Sequence, residues 1–250
     1  MAAALRRRFL ERSWWLGLVA GAACVAPVDH ATGGLMPPDD ETTLARQRAH
    51  MVSSQIEARG VRDRGVLDAL SKVPRHLFVP APLRDRAYDD APLPIGLGQT
   101  ISQPYIVAYM TEELALSPDH RVLEVGTGSG YQAAVLAELA KQVYSIELLP
   151  ELANGAREVL KTLGYQNVEV RTGDGYKGWP EHAPFDRIIV TAAPEQVPQA
   201  LVEQLGDGGR MVVPVGGADQ SIRILTRRGA RVNERVTIPV RFVPMVRPPL

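Results

Sequence analysis

The sequence predicts a doubly wound α/β domain with a mostly parallel sheet, an N-terminal helical region and a terminal antiparallel strand pair. Short apolar runs suited to buried strands alternate with helical patterns from residue 121 to residue 215. One such unit, residues 121–131 (RVLEVGTGSGY), joins a strand to a helix through three glycines at alternate positions. Ile222–Arg227 and Arg231–Val240 alternate in strand fashion around Gly229 and predict the terminal pair.

The glycine turn in this unit is suited to holding a ligand. Gly126, Gly128 and Gly130 allow positive φ and close approach, and the helix predicted over Tyr131–Lys141 offers free N–H groups at its start. A dinucleotide fingerprint needs a third glycine at the sixth position, where this chain has Tyr131. The turn therefore disfavours a pyrophosphate ligand, and a tight turn without any ligand stays the alternative.

An acidic residue directly follows the second predicted strand. Gln142–Ile146 forms that strand, and Glu147 follows it about twenty residues after the first glycine. An acidic residue at this place binds ribose hydroxyls in nucleotide-binding α/β folds. The alternative is that Glu147 caps the next helix, which is predicted from Leu149 to Leu163.

Two further strands also end in polar residues. Asn167–Arg171 leads to Asp174, which either accepts from an adenine amino group or makes an Asx turn, and Phe185–Val190 leads to Thr191. Ligands of doubly wound sheets bind at the carboxyl ends of the strands, so this convergence predicts a site for an adenosine–amino acid ligand. The residues at or just beyond strand ends are Glu124, Gly126, Glu147, Asp174 and Thr191.

The region before the first strand, residues 41–117, predicts helices and a shaped loop. Helices are predicted over Thr42–Arg59, Val66–Lys72 and Pro104–Leu116, with an extended segment over Arg75–Pro80. Residues 92–104 (PLPIGLGQTISQP) are dense in glycine and proline, which is typical of a loop or hairpin. This loop groups Thr100, Ser102 and Gln103, and a polar loop without chemistry is the alternative.

Residues 1–40 differ from the rest of the chain. Basic residues at 6–8 precede an apolar run over Trp14–Ala26 and then small residues and prolines, which is the order of a secretory signal. The arginine pair followed by Phe-Leu resembles a twin-arginine signal. The alternative is an upstream mis-start, with initiation at Met36 or Met51. We therefore divide the chain into an extension, 1–40, and a domain, 41–250, whose core is 118–250.

The amino-acid composition limits the classes of partner and of metal site that this chain can have. The chain has 28 basic and 28 acidic residues and a formal net charge of +0, which does not favour nucleic acid or an anionic membrane. Its single cysteine, Cys24, excludes an internal disulfide framework and a cysteine-based metal site. The five histidines are scattered without ligand spacing, so we predict no metal centre.

Five segments resemble the protein-L-isoaspartate O-methyltransferase family. They are 123–131 (LEVGTGSGY), 172–175 (TGDG), 185–193 (FDRIIVTAA), 241–245 (RFVPM) and, most telling, 94–104 (PIGLGQTISQP). Other methyltransferases share the glycine segment but lack the last of these. The resemblance runs from about residue 42 to the end of the chain.

This resemblance implies a Rossmann-like fold of the S-adenosylmethionine-dependent methyltransferase type. It implies methyl transfer from S-adenosylmethionine to the free carboxylate of L-isoaspartyl residues in damaged proteins and peptides, which initiates their repair. It also implies Ser102 as the active-site serine. The expected donor-binding residues are Thr100, Ile101, Gln103, Glu124, Gly126, Thr127, Gly128, Gly130, Glu147, Leu148, Asp174, Gly175 and Thr191.

The expected partners and compartment follow from the same resemblance. We expect a monomer that acts on isoaspartyl proteins in the cytoplasm, where the methyl donor is made, without metal or nucleic acid. The alternative compartment is the periplasm, reached through the signal-like residues 1–30. Alternative functions are methylation of a small molecule, or non-catalytic S-adenosylmethionine binding by an exported protein.

The residues fit the chemistry that the resemblance implies. A carboxylate with a pKa near 4 is already ionised at neutral pH, so its methylation needs no strong base. The candidate loop and strand ends contain no histidine. Ser102 is therefore expected to position the carboxylate by hydrogen bonding, and not to act as a covalent nucleophile.

Overall fold

The computed structural model describes residues 38–247, and its central feature is a seven-stranded sheet. The predicted extension over residues 1–40 lies outside the described residues, apart from the start of the first helix. The helices are α1 Pro38–His50, α2 Arg64–Lys72, α3 Pro104–Leu114, α4 Tyr131–Ala137, α5 Pro150–Thr162 and α6 Gln199–Gln204. The strands are β1 Leu93–Gly96, β2 Gln99–Ile101, β3 Arg121–Val125, β4 Gln142–Glu147, β5 Val168–Thr172, β6 Phe185–Val190, β7 Leu205–Gly216, β8 Gln220–Arg228 and β9 Arg231–Val240.

The large sheet has the strand order β5-β4-β3-β6-β7-β8-β9. Strands β3 to β7 pair in parallel, whereas β7-β8 and β8-β9 are antiparallel. This confirms the predicted doubly wound, mostly parallel fold with a terminal antiparallel pair. The strand order reverses beside β3, because β4 lies on one side of it and β6 on the other. That switch point is where ligands bind in such folds.

Alternation along the strands builds a core on each face of the sheet. Val122 packs with the helical region, while Leu123 and Val125 pack on the opposite face with Ile188 and Leu201. Because both faces are covered, the central strands are apolar on both sides, as their continuous apolar runs predict.

The helical region differs from expectation in two places. Beyond α1 the chain continues as a π-helical turn, Met51–Ile56, and a short 3₁₀ turn before Gly60 ends it with φ 104°. The wider turn rotates the apolar face, so Val52 is buried and Ser54 is exposed. The predicted extended segment after α2 is wrong, since residues 75–78 form a 3₁₀ turn.

The loop rich in glycine and proline is a hairpin, which is one of the two forms predicted for it. Strands β1 and β2 pair antiparallel, with Leu93 opposite Ile101, and three successive positive φ angles turn the chain. These angles are 96° at Gly96, 52° at Leu97 and 72° at Gly98. Ser102 follows the hairpin directly, in the short link between β2 and α3. None of the helices in residues 38–247 is both long enough and apolar enough to cross a membrane.

Candidate active site

A cavity of about 220 Å³ lies at the carboxyl ends of β3, β4 and β6, under the β1-β2 hairpin. Its wall includes ten of the residues predicted from the sequence. These are Thr100, Ile101, Ser102, Gly126, Thr127, Gly128, Glu147, Leu148, Gly175 and Thr191. The structure therefore brings the hairpin serine and the nucleotide-type turn to one site.

Backbone atoms form the wall at the glycine turn. Gly126 has φ 100°, and a Cβ placed there would collide with the hydroxyl of Thr191. That hydroxyl donates to the Gly126 carbonyl at 2.5 Å and to the Val125 carbonyl at 3.1 Å. The Gly126 N–H in turn donates to the Ile146 carbonyl at 2.8 Å. The turn is thus fixed between β4 and the end of β6, and its shape requires glycine.

Glu147 reaches the cavity with both carboxylate oxygens oriented by the backbone. Oε2 accepts from the Gly128 N–H at 2.8 Å, and Oε1 accepts from the Leu149 N–H at 3.0 Å. A carboxylate offers about four acceptor positions, so about two remain for a ligand. The contact with Leu149, just before α5, shows that the capping alternative describes part of the role of Glu147 and leaves room for a ligand.

Gly175 lines the cavity and is closely packed against its neighbours. A Cβ there would clash with the side chain of Val125 and lie 3.1 Å from the Met245 side chain. No turn conformation demands glycine at this position, because its φ lies outside the positive range. Space is therefore the reason for glycine here.

Ser102 lies at the cavity wall, half-buried, between the hairpin and α3. Its carbonyl accepts from Nη2 of Arg75 at 2.8 Å. Within residues 38–247 its hydroxyl has no hydrogen-bond partner. The hydroxyl is therefore available to a ligand, as positioning of a carboxylate would require.

The C-terminal segment forms a wall of the cavity that was not predicted from the sequence. Residues 243–246 line it, held by hydrogen bonds from the Ala193 N–H to the Val243 carbonyl (2.9 Å) and from the Met245 N–H to the Ala193 carbonyl (2.8 Å). The Tyr176 hydroxyl donates to the Met245 carbonyl at 3.0 Å. The family-like motif at residues 241–245 was the available signal for this wall.

The structure does not bring four predicted donor-binding residues to the cavity wall: Gln103, Glu124, Gly130 and Asp174. Gln103 instead donates to the Asp90 carbonyl at 3.2 Å. Gly130 has φ 88° at the start of α4, which favours glycine, and a Cβ there would also lie 3.2 Å from Ala156 of α5. Asp174 accepts from the Tyr176 N–H at 2.9 Å, which is the Asx turn that the sequence analysis gave as its alternative.

Glu124 lies beneath the glycine turn and is fully buried. Burial raises the pKa of this carboxyl to about 8, against a smaller lowering by the hydrogen bond from Ser145. The Ser145 and Thr127 hydroxyls also lie 2.6 Å apart. Glu124 is therefore protonated at neutral pH and supports the turn through these two hydroxyls, since a charged carboxylate would be costly there.

The cavity wall contains no histidine and has Glu147 as its acidic side chain. No group of three or more potential metal ligands occurs among the described residues. What the wall offers is a fixed acceptor, exposed backbone of a glycine turn, apolar side chains and a free hydroxyl. This set suits binding a nucleoside with a polar tail and orienting an anion beside it.

Comparison with known proteins agrees with this geometry. The family model for protein-L-isoaspartate(D-aspartate) O-methyltransferase matches residues 46–248. A protein-L-isoaspartate O-methyltransferase of Synechococcus sp. (strain JA-2-3B'a(2-13)) is 61% identical over 218 residues, covering 84% of this chain and 89% of the relative.

Two solved structures share the fold. One, a protein-L-isoaspartate O-methyltransferase, is 30% identical with a TM-score of 0.73, and the match covers 79% of this chain and 65% of that one. The other, a beta-aspartate methyltransferase of Plasmodium falciparum with S-adenosyl-L-homocysteine, is 24% identical with a TM-score of 0.71, covering 80% and 98%. The chain thus belongs to the protein-L-isoaspartate(D-aspartate) O-methyltransferase family, enzymes that methylate isoaspartyl carboxylates from S-adenosylmethionine and so begin the repair of damaged proteins.

Proposed function

We propose that the cavity at the carboxyl ends of β3, β4 and β6 is where this chain carries out the family's reaction. In this proposal Glu147 and the glycine turn hold the donor, and the Ser102 hydroxyl orients the isoaspartyl carboxylate. The observation that carries the proposal is that Ser102 and Glu147 line the same cavity although they lie 45 positions apart in the chain.

The wall fits S-adenosylmethionine group by group. The acceptor positions of Glu147 that the backbone leaves open suit two ribose hydroxyls. The exposed backbone of Gly126–Gly128 suits the amino-acid part, and the apolar side chains of Ile146 and Leu148 suit a planar base. The Plasmodium falciparum structure contains S-adenosyl-L-homocysteine, which is the donor without its methyl group.

The remaining predicted residues have proposed roles at the edge of this site. Thr100 and Ile101 bring the hairpin over the donor, and Thr191 and Gly175 close the opposite side. Asp174 has one oxygen engaged in its Asx turn, which leaves the second for the adenine amino group. Gln103, Glu124 and Gly130 would act indirectly, by holding the loop and the glycine turn.

The acceptor needs orientation more than activation. A carboxylate is ionised at neutral pH, so no residue has to remove a proton. When bound, S-adenosylmethionine supplies an electrophilic methyl group that leaves sulfur as the carboxylate oxygen bonds to it. The Ser102 hydroxyl would donate to the second carboxylate oxygen and hold the first in line with the methyl. The surrounding apolar wall would remove water from the carboxylate, which strengthens it as a nucleophile.

Replacement of Ser102 by alanine tests the positioning role. One such hydrogen bond is worth about 1.4–4 kcal/mol in the transition state, so turnover on an isoaspartyl peptide should fall roughly ten- to a thousand-fold. Affinity for S-adenosylhomocysteine should change little. Ser117→Ala, on the loop before β3 and outside the cavity wall, is the matched control and should keep full activity. Full activity of Ser102→Ala would leave Ser102 as a loop-packing residue.

The choice of substrate tests the same geometry independently. The free carboxylate of an isoaspartyl residue is the α-carboxylate, and the free carboxylate of a normal aspartyl residue is that of its side chain. The two differ in position by one methylene. We expect the isoaspartyl peptide to be methylated and the matched aspartyl peptide to be a poor acceptor. Equal methylation of both peptides would show that the cavity does not orient the carboxylate as proposed.

We also propose a cytoplasmic, monomeric enzyme that works without metal or nucleic acid. The methyl donor is made in the cytosol, and the chain's formal net charge of +0 gives no general attraction to nucleic acid. Fractionation with an antibody, light scattering of the pure protein and assay in the presence of a chelator test the compartment, the monomeric state and the independence of metal. Recovery in the periplasm, a stable dimer or inhibition by the chelator would each overturn the corresponding part.

A further inference from the structure

We infer that Arg75 is a positioning residue for the methyl transfer, because it fixes the main chain of Ser102 so that the serine hydroxyl faces the acceptor. This inference rests on the role proposed above for Ser102. Arg75 lies in the 3₁₀ turn after α2 and does not line the cavity. It therefore acts on the reaction through another residue and does not touch substrate.

The Arg75 guanidinium contacts three segments that are distant from one another in the sequence. Nε donates to the Ala87 carbonyl at 2.7 Å, and Nη2 donates to the Ser102 carbonyl at 2.8 Å. Its Cζ lies 4.8 Å from the centre of the Tyr131 ring. Tyr131 begins α4 directly after the glycine turn and lines the cavity. One side chain thus ties the acceptor loop to the element that starts at the donor-binding turn.

The charge of Arg75 has no carboxylate partner among residues 38–247. The residue is 0% exposed, and burial lowers its pKa to about 10, so it remains protonated at neutral pH. Nη1 has no hydrogen-bond partner within the same residues. A buried cation without a counter-charge is costly, and an apolar side chain of similar volume would fill the space at lower cost. The arginine is therefore poorly explained by packing alone.

The planar fork of the guanidinium explains why residue 75 is an arginine. Its N–H groups point in fixed directions, so one guanidinium holds two carbonyls at a set separation. Ser102 lies in the link between β2 and α3, where no strand or helix ladder fixes its peptide. A hydrogen bond to its own carbonyl therefore sets where its hydroxyl points. Small errors in the placement of reacting groups cost large factors in rate, which gives this tether a kinetic effect.

Arg187 provides a matched control in the same chain. Its Nε donates to the Leu114 carbonyl at 2.6 Å, and its Nη2 donates to the Ala115 carbonyl at 3.0 Å. It is therefore a second arginine that clamps two carbonyls. It lies in the first half of β6, away from the carboxyl end of the strand, and does not line the cavity.

The experiment compares Arg75→Met, Arg75→Lys and Arg187→Met with wild type. We measure kcat and KM on an isoaspartyl peptide with saturating donor, the Kd of S-adenosylhomocysteine by calorimetry, and the melting temperature. Arg75→Met should lower kcat roughly tenfold or more while the Kd changes less than about threefold. Arg75→Lys keeps the charge but lacks the planar fork that holds both carbonyls, so its kcat should lie between those of wild type and Arg75→Met. Arg187→Met should lower the melting temperature and leave kcat unchanged when assayed well below it.

The lysine variant keeps the test decisive if the methionine variant does not fold. If Arg75→Met does not fold, a lower kcat with an unchanged Kd in Arg75→Lys supports the inference, and a wild-type kcat overturns it. A Kd that weakens in step with kcat would show a general structural role and would also overturn it.

A double-variant cycle with Ser102→Ala separates this inference from the proposed function. If Arg75 acts through Ser102, the double variant should be about as slow as the slower single variant. Losses that multiply would overturn the inference, because they would show independent roles. Full activity of Ser102→Ala itself would instead refute the proposed role of Ser102, whereas a slow Ser102→Ala beside fully active Arg75 variants would refute only the role of Arg75.

Discussion

The Glu147 carboxylate and the Gly128 amide are joined by a hydrogen bond of 2.8 Å, which ties the end of β4 to the glycine turn. The second carboxylate oxygen accepts from the Leu149 N–H at 3.0 Å. The acceptor for the donor's ribose is therefore oriented by the protein itself. Such preorganisation lowers the cost of ordering the side chain when a ligand binds.

Glu147→Ala should weaken binding of the methyl donor. Each hydrogen bond from a ligand hydroxyl to a carboxylate is worth about 1.5–3 kcal/mol, so the Kd of S-adenosylhomocysteine should rise roughly tenfold or more. Calorimetry gives this value directly. Glu138→Ala is the control, since Glu138 accepts from Lys72 and Tyr165 and does not line the active-site cavity. An unchanged Kd for Glu147→Ala would refute the ribose role.

Gly175→Ala should reduce both stability and donor binding. The added methyl would clash with Val125 and crowd Met245, two residues of the cavity wall. Overpacking of this kind costs about 1–3 kcal/mol, which denaturant unfolding measures. Gly155→Ala is the control, because the space there is open and α5 favours alanine by about 0.5–1 kcal/mol. Wild-type stability and affinity in Gly175→Ala would show that the wall adapts.

The strand-and-turn part of the molecule was predictable because its signals are local. The strand at Phe185–Val190 agrees with its predicted bounds, and Glu147 lies at the cavity as its spacing predicts. A buried parallel strand shows as a continuous apolar run, and a switch-point ligand draws polar groups to strand ends. These signals need no knowledge of distant contacts.

The features that could not be predicted from the sequence depend on contacts between distant parts of the chain. Gly130 looks like another ligand glycine in sequence, and only the structure shows that it serves a left-handed turn before α4 and close packing against Ala156. The wall at residues 243–246 exists because that segment pairs with Ala193. Arg75 gave no sequence signal, since its partners are backbone carbonyls, which every residue carries.

A chain that begins at Met36 should fold and methylate as well as the full chain. The first described helix starts at Pro38, and Leu44 is the first core residue among those whose side chains are described, from residue 41 onward. The family model starts at residue 46, so the shortened chain keeps all the residues it matches. Melting temperature and kcat on an isoaspartyl peptide are the measurements. A lower melting temperature or loss of activity would show that residues 1–35 contribute to the catalytic fold.

The buried carboxyl of Glu124 should make the stability of the protein depend on pH. Burial raises its pKa to about 8, from the ordinary value of 4.5 for a glutamate. Below pH 4.5 the folded and unfolded states both carry the proton. Between 4.5 and 8 the folded state keeps the proton and the unfolded state loses it, so the folded state binds more protons. Stability from this group is therefore lost as pH rises through that window, by up to about 1.4 kcal/mol per pH unit.

Glu124→Gln should remove this dependence. The amide oxygen of glutamine can accept the hydrogen bond that Ser145 now donates to Glu124, and the amide carries no charge at any pH in this window. The variant should therefore gain stability over wild type as pH rises from 5 to 8, measured as the difference between the two free energies of unfolding. Taking this difference cancels the other titrating groups. Glu158→Gln, at an exposed position of α5, should show no such trend. A constant difference between Glu124→Gln and wild type across this range would mean that Glu124 is ionised in the folded protein, and the glycine turn would then rest on a buried charge.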